Sequence, residues 1–505
     1  MKNSACPSLL SVFAVVLMGA VAGFAVAQEQ PDNDRLAWAV KLSRDSDYAR
    51  QHCRELYVDP DCPAGGDGSE AKPWTRLAGA EWAVVENALS EGNVTVYFSA
   101  RQADGDVAQD LGGPLVVPFS GHEVNRITLD GMSKYNADDA APSWQPNTGK
   151  NKARLTTHSS LALGRPGAEG IVSNITFRGF EITGEAARII FGGNNVILEH
   201  AYSHDITGIG PALHTRNLVA GRETSLEGPH IRYSNVIIRN CVIDRCYGEA
   251  MYIGGVYEPQ KSLGNAHGNF LIENNVVRYA GVNGAQGDGI EIKVGLSNVT
   301  IRNNVVEHGT DMGIAYNGMV VKDSKESTLI EGNIIRACGK AAAALRMGGG
   351  WSYTNRVIVR NNVVYGNARE GIKTLGSGDH QVQDLEIYNN TVYDNGSALA
   401  LSAKSLVVVN NLVFGNKGGA QARDCQTVSN DYNAHSGNWA IPQEGPHSIV
   451  LGDLSVLCMD PAKGDFHLKA GSPCINAGTD VGLTTDRDGK PRPHGKACDI
   501  GAYQF

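Results

Sequence analysis

Val299-Thr300-Ile301-Arg302-Asn303-Asn304 is the stretch on which the reading of this chain turns: an alternating apolar run that stops on two asparagines. The phrase returns as Val236-Ile237-Ile238-Arg239-Asn240-Cys241, Phe270-Leu271-Ile272-Glu273-Asn274-Asn275 and Leu329-Ile330-Glu331-Gly332-Asn333. Further on it reads Val357-Ile358-Val359-Arg360-Asn361-Asn362, Leu385-Glu386-Ile387-Tyr388-Asn389-Asn390 and Val407-Val408-Val409-Asn410-Asn411. Successive copies lie about 20 to 35 residues apart, mostly near 29, the range of solenoid units. Period-two alternation marks a strand with one buried face. The asparagines mark a turn, because Asn tolerates left-handed backbone and its amide bonds nearby main chain. In register, these amides can also bond up and down the stack.

A second strand follows in each unit, within Glu249–Ile253, Gly289–Lys293, Gly313–Tyr316, Ala343–Met347, Gly371–Thr374 and Ala398–Leu401. Two or three short strands per turn without a helical pattern between them predict an all-β parallel β-helix. The 60 glycines among 505 residues suit such a chain and argue against a helical bundle.

The remaining sequence sets the boundaries. Residues 1–27 read as a secretory signal, with Lys2, an apolar stretch from Leu9 to Val26, and Ala25-Val26-Ala27 before Gln28. Nothing later is apolar for long enough to span a bilayer, so an exported, secreted or periplasmic protein is expected. Residues 28–90 are a lead-in and cap, with helices expected over Asp34–Tyr57 and Trp74–Leu89, one or both covering the first coil. Residues 91–420 are assigned to the solenoid and 421–505 to its C-terminal end. The segments 205–232 and 254–268 break the repeat spacing and read as projecting loops. The 44 basic and 53 acidic residues argue against a nucleic-acid binder, which needs clustered positive charge. Of the cysteines, Cys53 with Cys62, and Cys425, Cys458, Cys474 and Cys498, are expected to form disulfides in an oxidising compartment. Cys338 is expected to be a buried thiol.

Gly248-Glu249-Ala250-Met251-Tyr252-Ile253-Gly254, Asp288-Gly289-Ile290-Glu291-Ile292-Lys293 and the strand-plus-Asn-Asn unit resemble right-handed parallel β-helix proteins of the pectate-lyase-like superfamily. The entry segment Tyr57-Val58-Asp59-Pro60 and the closing Asp499-Ile500-Gly501-Ala502-Tyr503 are similar to the ends of secreted members. The resemblance covers nearly all of the mature chain and is specific for fold. The architecture carries lyases, hydrolases, epimerases and adhesins, so it speaks far less to chemistry.

With Ile290 and Ile292 in the core, Glu291 and Lys293 face out, and Tyr252, Asn317, Arg346 and Lys373 join them on neighbouring coils about 4.8 Å apart. Such a polar ladder on a shallow groove suits an extended acidic polysaccharide. The resemblance implies β-elimination on a uronate, with a cation to neutralise the enolate-like charge and a base for the carbon-bound proton. Lys293 is the expected base and Lys373 the alternate, with Arg346 on the substrate carboxylate. Tyr252, Glu249, His230 and His204 are candidate proton donors to the leaving oxygen, and Asn317, His230 and Glu249 candidate substrate contacts. Asp288 and Glu291 are the candidate Ca²⁺ ligands. A glycoside hydrolase using two of Asp288, Glu291 and Asp311, a C5-epimerase, and a non-catalytic surface or carbohydrate-binding β-helix protein are the competing readings, and a monomer is expected in each case.

Overall fold

The computed structural model describes residues 32–99, residues 122 and 124–131 with short strands between 102 and 163, residues 173–215 apart from 186, 188, 192 and 209–211, and residues 234–505 apart from 255–266, 283–285, 319–326, 341, 350 and 351. The signal segment, His230, most of 205–232 and most of 254–268 lie outside the described residues.

Apart from the antiparallel pairs Gln102–Ala103 with Val107–Ala108 and Cys458–Asp460 with Asp465–Leu468, the described strands stack in parallel, coil on coil, from Cys53–Val58 paired with Asn93–Phe98 to Ala434–His435 paired with Ile449–Val450. One coil shows the plan. Strand Ile290–Ile292 leads into Leu296–Arg302, the Asn303-Asn304 corner turns the chain into Val305–Glu307, and Ile314–Tyr316 closes the turn beside Ile290–Ile292. Alternation sends Val299, Ile301, Ile290, Ile292 and Val306 into one continuous interior, where each is fully buried.

The two corner asparagines divide the work. The first adopts left-handed backbone, with φ of 55° at Asn274 and Asn303, 52° at Asn361 and 53° at Asn389. The second is buried and bonded along the stack: the Asn275 amide donates to Asn304 Oδ1, Asn304 to Asn333, Asn333 to Asn362, and Asn362 to Asn390, each at 3.0 Å. The same amides also donate to main chain of the preceding coil, as where Asn304 Nδ2 meets Ile272 O, and at Asn390 and Asn411 to that of their own coil as well. The result meets the demand that buried amides be paired.

Two end pieces close the solenoid. Helix Ala80–Glu91 adds Trp82, Val85, Ala88 and Leu89 to the main interior beside Val94 and Val96. Helix Ala37–Gln51 instead lies against the outer face of a sheet, with Leu36, Ala39 and Leu42 packed on Ile197, Ile237 and Leu271. It ends at Gln51, short of the expected Tyr57, because the β-branched and aromatic residues of Cys53–Val58 pair as the first strand. The C-terminal segment folds back over later coils: Phe466, Ile500 and Tyr503 bury Val363, Leu412 and Phe414.

The expected disulfides are not formed. All nine described cysteines are free thiols. Cys53 Sγ donates to Arg50 O at 3.2 Å and Cys62 Sγ to Pro73 O at 3.0 Å, so the two point to separate stretches of main chain. Cys458 and Cys474 share an apolar cluster, where burial pushes both thiols up to about 12, and Cys425 Sγ meets Arg423 O at 3.4 Å. Cys498 is likewise a buried thiol, and Cys338 is buried as expected.

Candidate active site

Five short strands of one sheet build the site: β1 (Met251–Ile253), β2 (Ile290–Ile292), β3 (Ile314–Tyr316), β4 (Leu345–Met347) and β5 (Glu370–Thr374). Their register places Tyr252, Glu291, Ala315, Arg346 and Lys373 in one outward column. Lys293 and Asn317 follow two residues behind Glu291 and Ala315 on the same face. Gly289 sets the entry into β2: a Cβ there would lie 2.5 Å from Gly313 O and 2.4 Å from Val306 Cγ1, so only glycine lets adjacent coils close up ahead of Glu291.

The column is not an open row of charges. Glu291 is 2% exposed, Tyr252 8% and Asn317 9%, whereas Lys293, Arg346 and Lys373 reach solvent in part. Acid therefore lies beneath and base above. Glu291 Oε1 is 2.5 Å from Lys293 Nζ and accepts from Asn317 Nδ2 at 3.0 Å. Asn317 Oδ1 in turn accepts from the Arg346 guanidinium. Lys293 Nζ also stands 4.3 Å from the centre of the Tyr252 ring, a cation–π contact. One hydrogen-bonded row thus joins Lys293, Glu291, Asn317 and Arg346 across three coils. Arg346 Nε and Glu291 Oε2 are buried with no protein partner, which leaves one donor and one acceptor uncommitted. Lys373 is separate, held by Glu370 of its own strand at 2.8 Å.

Further carboxyls surround the row. Burial first, and then the charge of Glu291, raise the affinity of Glu249 for its proton. At Asp311 burial again dominates and Glu291 adds to it, against the pull of Arg346, for a net rise. Asp288 is fully buried, and desolvation followed by Glu291 pushes its carboxyl up to about 7. Its Oδ1 accepts from the Met312 amide at 2.9 Å and its Oδ2 faces Gln286 Nε2 at 3.3 Å.

This donor set does not fit Ca²⁺. Asp288 spends its oxygens on Met312 and Gln286, and Glu291 keeps only Oε2, far from the six to eight oxygens that the ion takes. Among the described residues no three or more His, Cys, Asp or Glu side chains are placed to hold a metal. Of the other sequence candidates, His204 lies on another sheet, its ring between Glu181 at 2.8 Å and Asp205 at 2.7 Å, away from the row. Sequence reasoning offered Asp311 only as a hydrolase carboxyl and did not place it in the field of Arg346, because that proximity arises only through the coil spacing.

The model of the right handed beta helix region matches residues 263–433. Among solved structures, that titled the complex structure of XylC with xylose is 11% identical, with a TM-score of 0.50, covering 90% of this chain and 98% of that one. The protein folds as a right-handed parallel β-helix. Pectate lyase Pel9A (15% identity, TM-score 0.46, 90% of this chain and 96% of that) and the Azotobacter vinelandii mannuronan C-5 epimerase AlgE6 A-module (17%, 0.37, 75% and 95%) are also similar. At these identities the likeness is one of fold. The search of curated proteins found no match.

Proposed function

We propose that this β-helix is an exported polysaccharide-cleaving enzyme that acts on a uronate-containing chain by β-elimination. The observation that carries the reading is the row Lys293–Glu291–Asn317–Arg346, which fixes two cations two coils apart on one outward face, with carboxyls of raised proton affinity in their field. Lys293 and Arg346 receive the uronate carboxylate, and the unpaired Arg346 Nε supplies one hydrogen bond. They stabilise the charge that develops when the α-proton leaves. Glu249 takes that proton, since raised affinity makes a carboxylate a better base. The C–H electron pair becomes the C4–C5 double bond, the C4–O bond breaks, and the Tyr252 phenol protonates the departing oxygen. Glu291 has a positioning role, because it is buried and holds Lys293 in place. Lys293 is thereby moved from the base role expected from sequence to that of a cation.

Glycoside hydrolysis is the second reading, favoured by the raised proton affinities of Glu249 and Asp311, either of which suits a general acid, with an ionised carboxyl such as Glu291 as its counterpart. A screen of alginate, pectate, chondroitin and a neutral glycan decides between them. Elimination creates near-ultraviolet absorbance with each cut, whereas hydrolysis creates reducing ends alone. Lys293→Ala and Glu249→Gln are each expected to lower turnover by about 10²-fold or more in a folded protein. Near-native turnover by both would sink the assignment.

A further inference from the structure

The outer asparagine of each corner forms a second column, and its two ends differ. Downstream, the C-terminal segment uses it: Asn361 Nδ2 donates to Thr485 O at 3.0 Å, Asn389 to Asp499 O at 3.1 Å, and Asn410 to Thr479 O at 2.7 Å while accepting from Thr479 N at 2.9 Å. Upstream, Asn240, Asn274 and Asn303 continue the column with no side-chain hydrogen bond, and Asn240 Oδ1 is buried without a partner. Gly332 stands between the two halves, where a side chain would meet Asn303 Oδ1 at 2.3 Å. At this junction the C-terminal segment leaves a cavity of about 810 Å³, whose walls include Asn274, Asn303, Arg302, Glu331, Leu483 and Arg487. Arg487 Nε is buried there with no partner.

We infer that this corner is a second, non-catalytic binding site for a polysaccharide chain, running over Asn240, Asn274 and Asn303 into the Arg487 cavity. The amides are shown by their downstream counterparts to grip uncharged polar groups, and here the side chains of Asn274 and Asn303 reach solvent one per coil, with Asn240 half-buried at the head of the column. That spacing, about 4.8 Å, is shorter than the roughly 6.8 Å two-residue repeat of an extended peptide, so a peptide falls out of step after one coil. A chain of pyranose rings, each bearing hydroxyls that donate and accept, stays in step. The site lies on the corner between two sheets, away from β1–β5, and holds polymer while the row of Lys293 and Arg346 acts. It deepens the proposed function in its choice of polysaccharide and does not depend on the bond-breaking step.

The test uses full-length protein with alginate, pectate and xylan in affinity electrophoresis, alongside turnover of a short oligosaccharide. Asn274→Gly with Asn303→Gly copies the Gly332 arrangement and keeps the left-handed backbone allowed. It should weaken retardation by polymer at least threefold and leave oligosaccharide turnover unchanged. Arg487→Ala should do the same through the cavity wall. Equal retardation of wild type and both variants, or no retardation of wild type by any of the three polymers, overturns the inference. Retardation that depends on these residues in a protein without turnover upholds it and removes the proposed chemistry instead.

Discussion

Asp288 is the residue at which the site's electrostatics become measurable. Its carboxyl ordinarily titrates near 3.8 and is pushed to about 7 by burial and by Glu291. A carboxyl raised in the folded state favours the protonated form, so its contribution to stability is complete below 3.8 and is lost as pH rises through about 7. Asp288→Asn keeps an acceptor for the Met312 amide and never ionises. Its melting temperature should therefore exceed that of the wild type at pH 8, with the gap closing toward pH 4. A gap that widens at low pH would show that Asp288 is ionised in the fold. The outward placement of Glu291 and Lys293 was legible in the sequence from strand alternation alone. The depth of Glu291 was not, because it depends on Asn317 and Lys293 closing over it from two neighbouring strand ends.

At the scale of the element, the sheet that follows β1–β5 in each coil carries a device that the repeat phrase contains but does not announce. Asp130, Arg178, Glu199, Arg239, Glu273, Arg302, Glu331 and Arg360 stand in register, acid and base by turns, ending on Tyr388. Arg178 lies 3.0 Å from Asp130 and 3.2 Å from Glu199, and Arg239, Arg302 and Arg360 each lie 2.7 Å from a glutamate. From Arg239 to Arg360 the residue preceding each corner is charged in the sequence, yet the alternation appears only once the coils are aligned. Exposure ranks the rungs: the Arg360 side chain is 2% exposed and that of Arg302 29%. Glu331→Ala should cost about 3 kcal/mol in urea unfolding, since it removes the carboxylate that neutralises a buried cation. Glu273→Ala leaves Arg302 able to turn to water and should cost about 1 kcal/mol or less. The inner asparagine ladder sets a different scale. Asn304→Ala removes the acceptor of the Asn275 N–H and the donor to Ile272 O, and should cost about 2 to 4 kcal/mol, about 1 to 2 for each of these two buried backbone groups. Equal losses for Asn304→Ala and Asn303→Gly would refute the division of labour at the corner.

For the molecule as a whole, the repeat spacing was sufficient to predict a solenoid, because every coil must offer its neighbour the same strand edges. The ends were harder to read. Helix Ala37–Gln51 has its apolar stripe turned to a sheet face far along the chain, and no local pattern names that partner. Composition pointed the cysteines toward disulfides, whereas all nine described ones are thiols, Cys53 and Cys62 on separate main-chain contacts and Cys458 and Cys474 unjoined within one apolar cluster. Melting should therefore be the same with and without dithiothreitol, and a drop of several degrees on reduction would reveal a bridge. The alternating charges also impose a rule of parity on how such a chain can lengthen or shorten. Excising one coil, 274–302, sets Glu273 against Glu331, acid on acid, although the asparagine ladder would reseal without a fault. Excising two, 274–331, sets Glu273 against Arg360 and restores the match. Along this stretch, descendants with an even number of coils gained or lost should fold where odd ones fail.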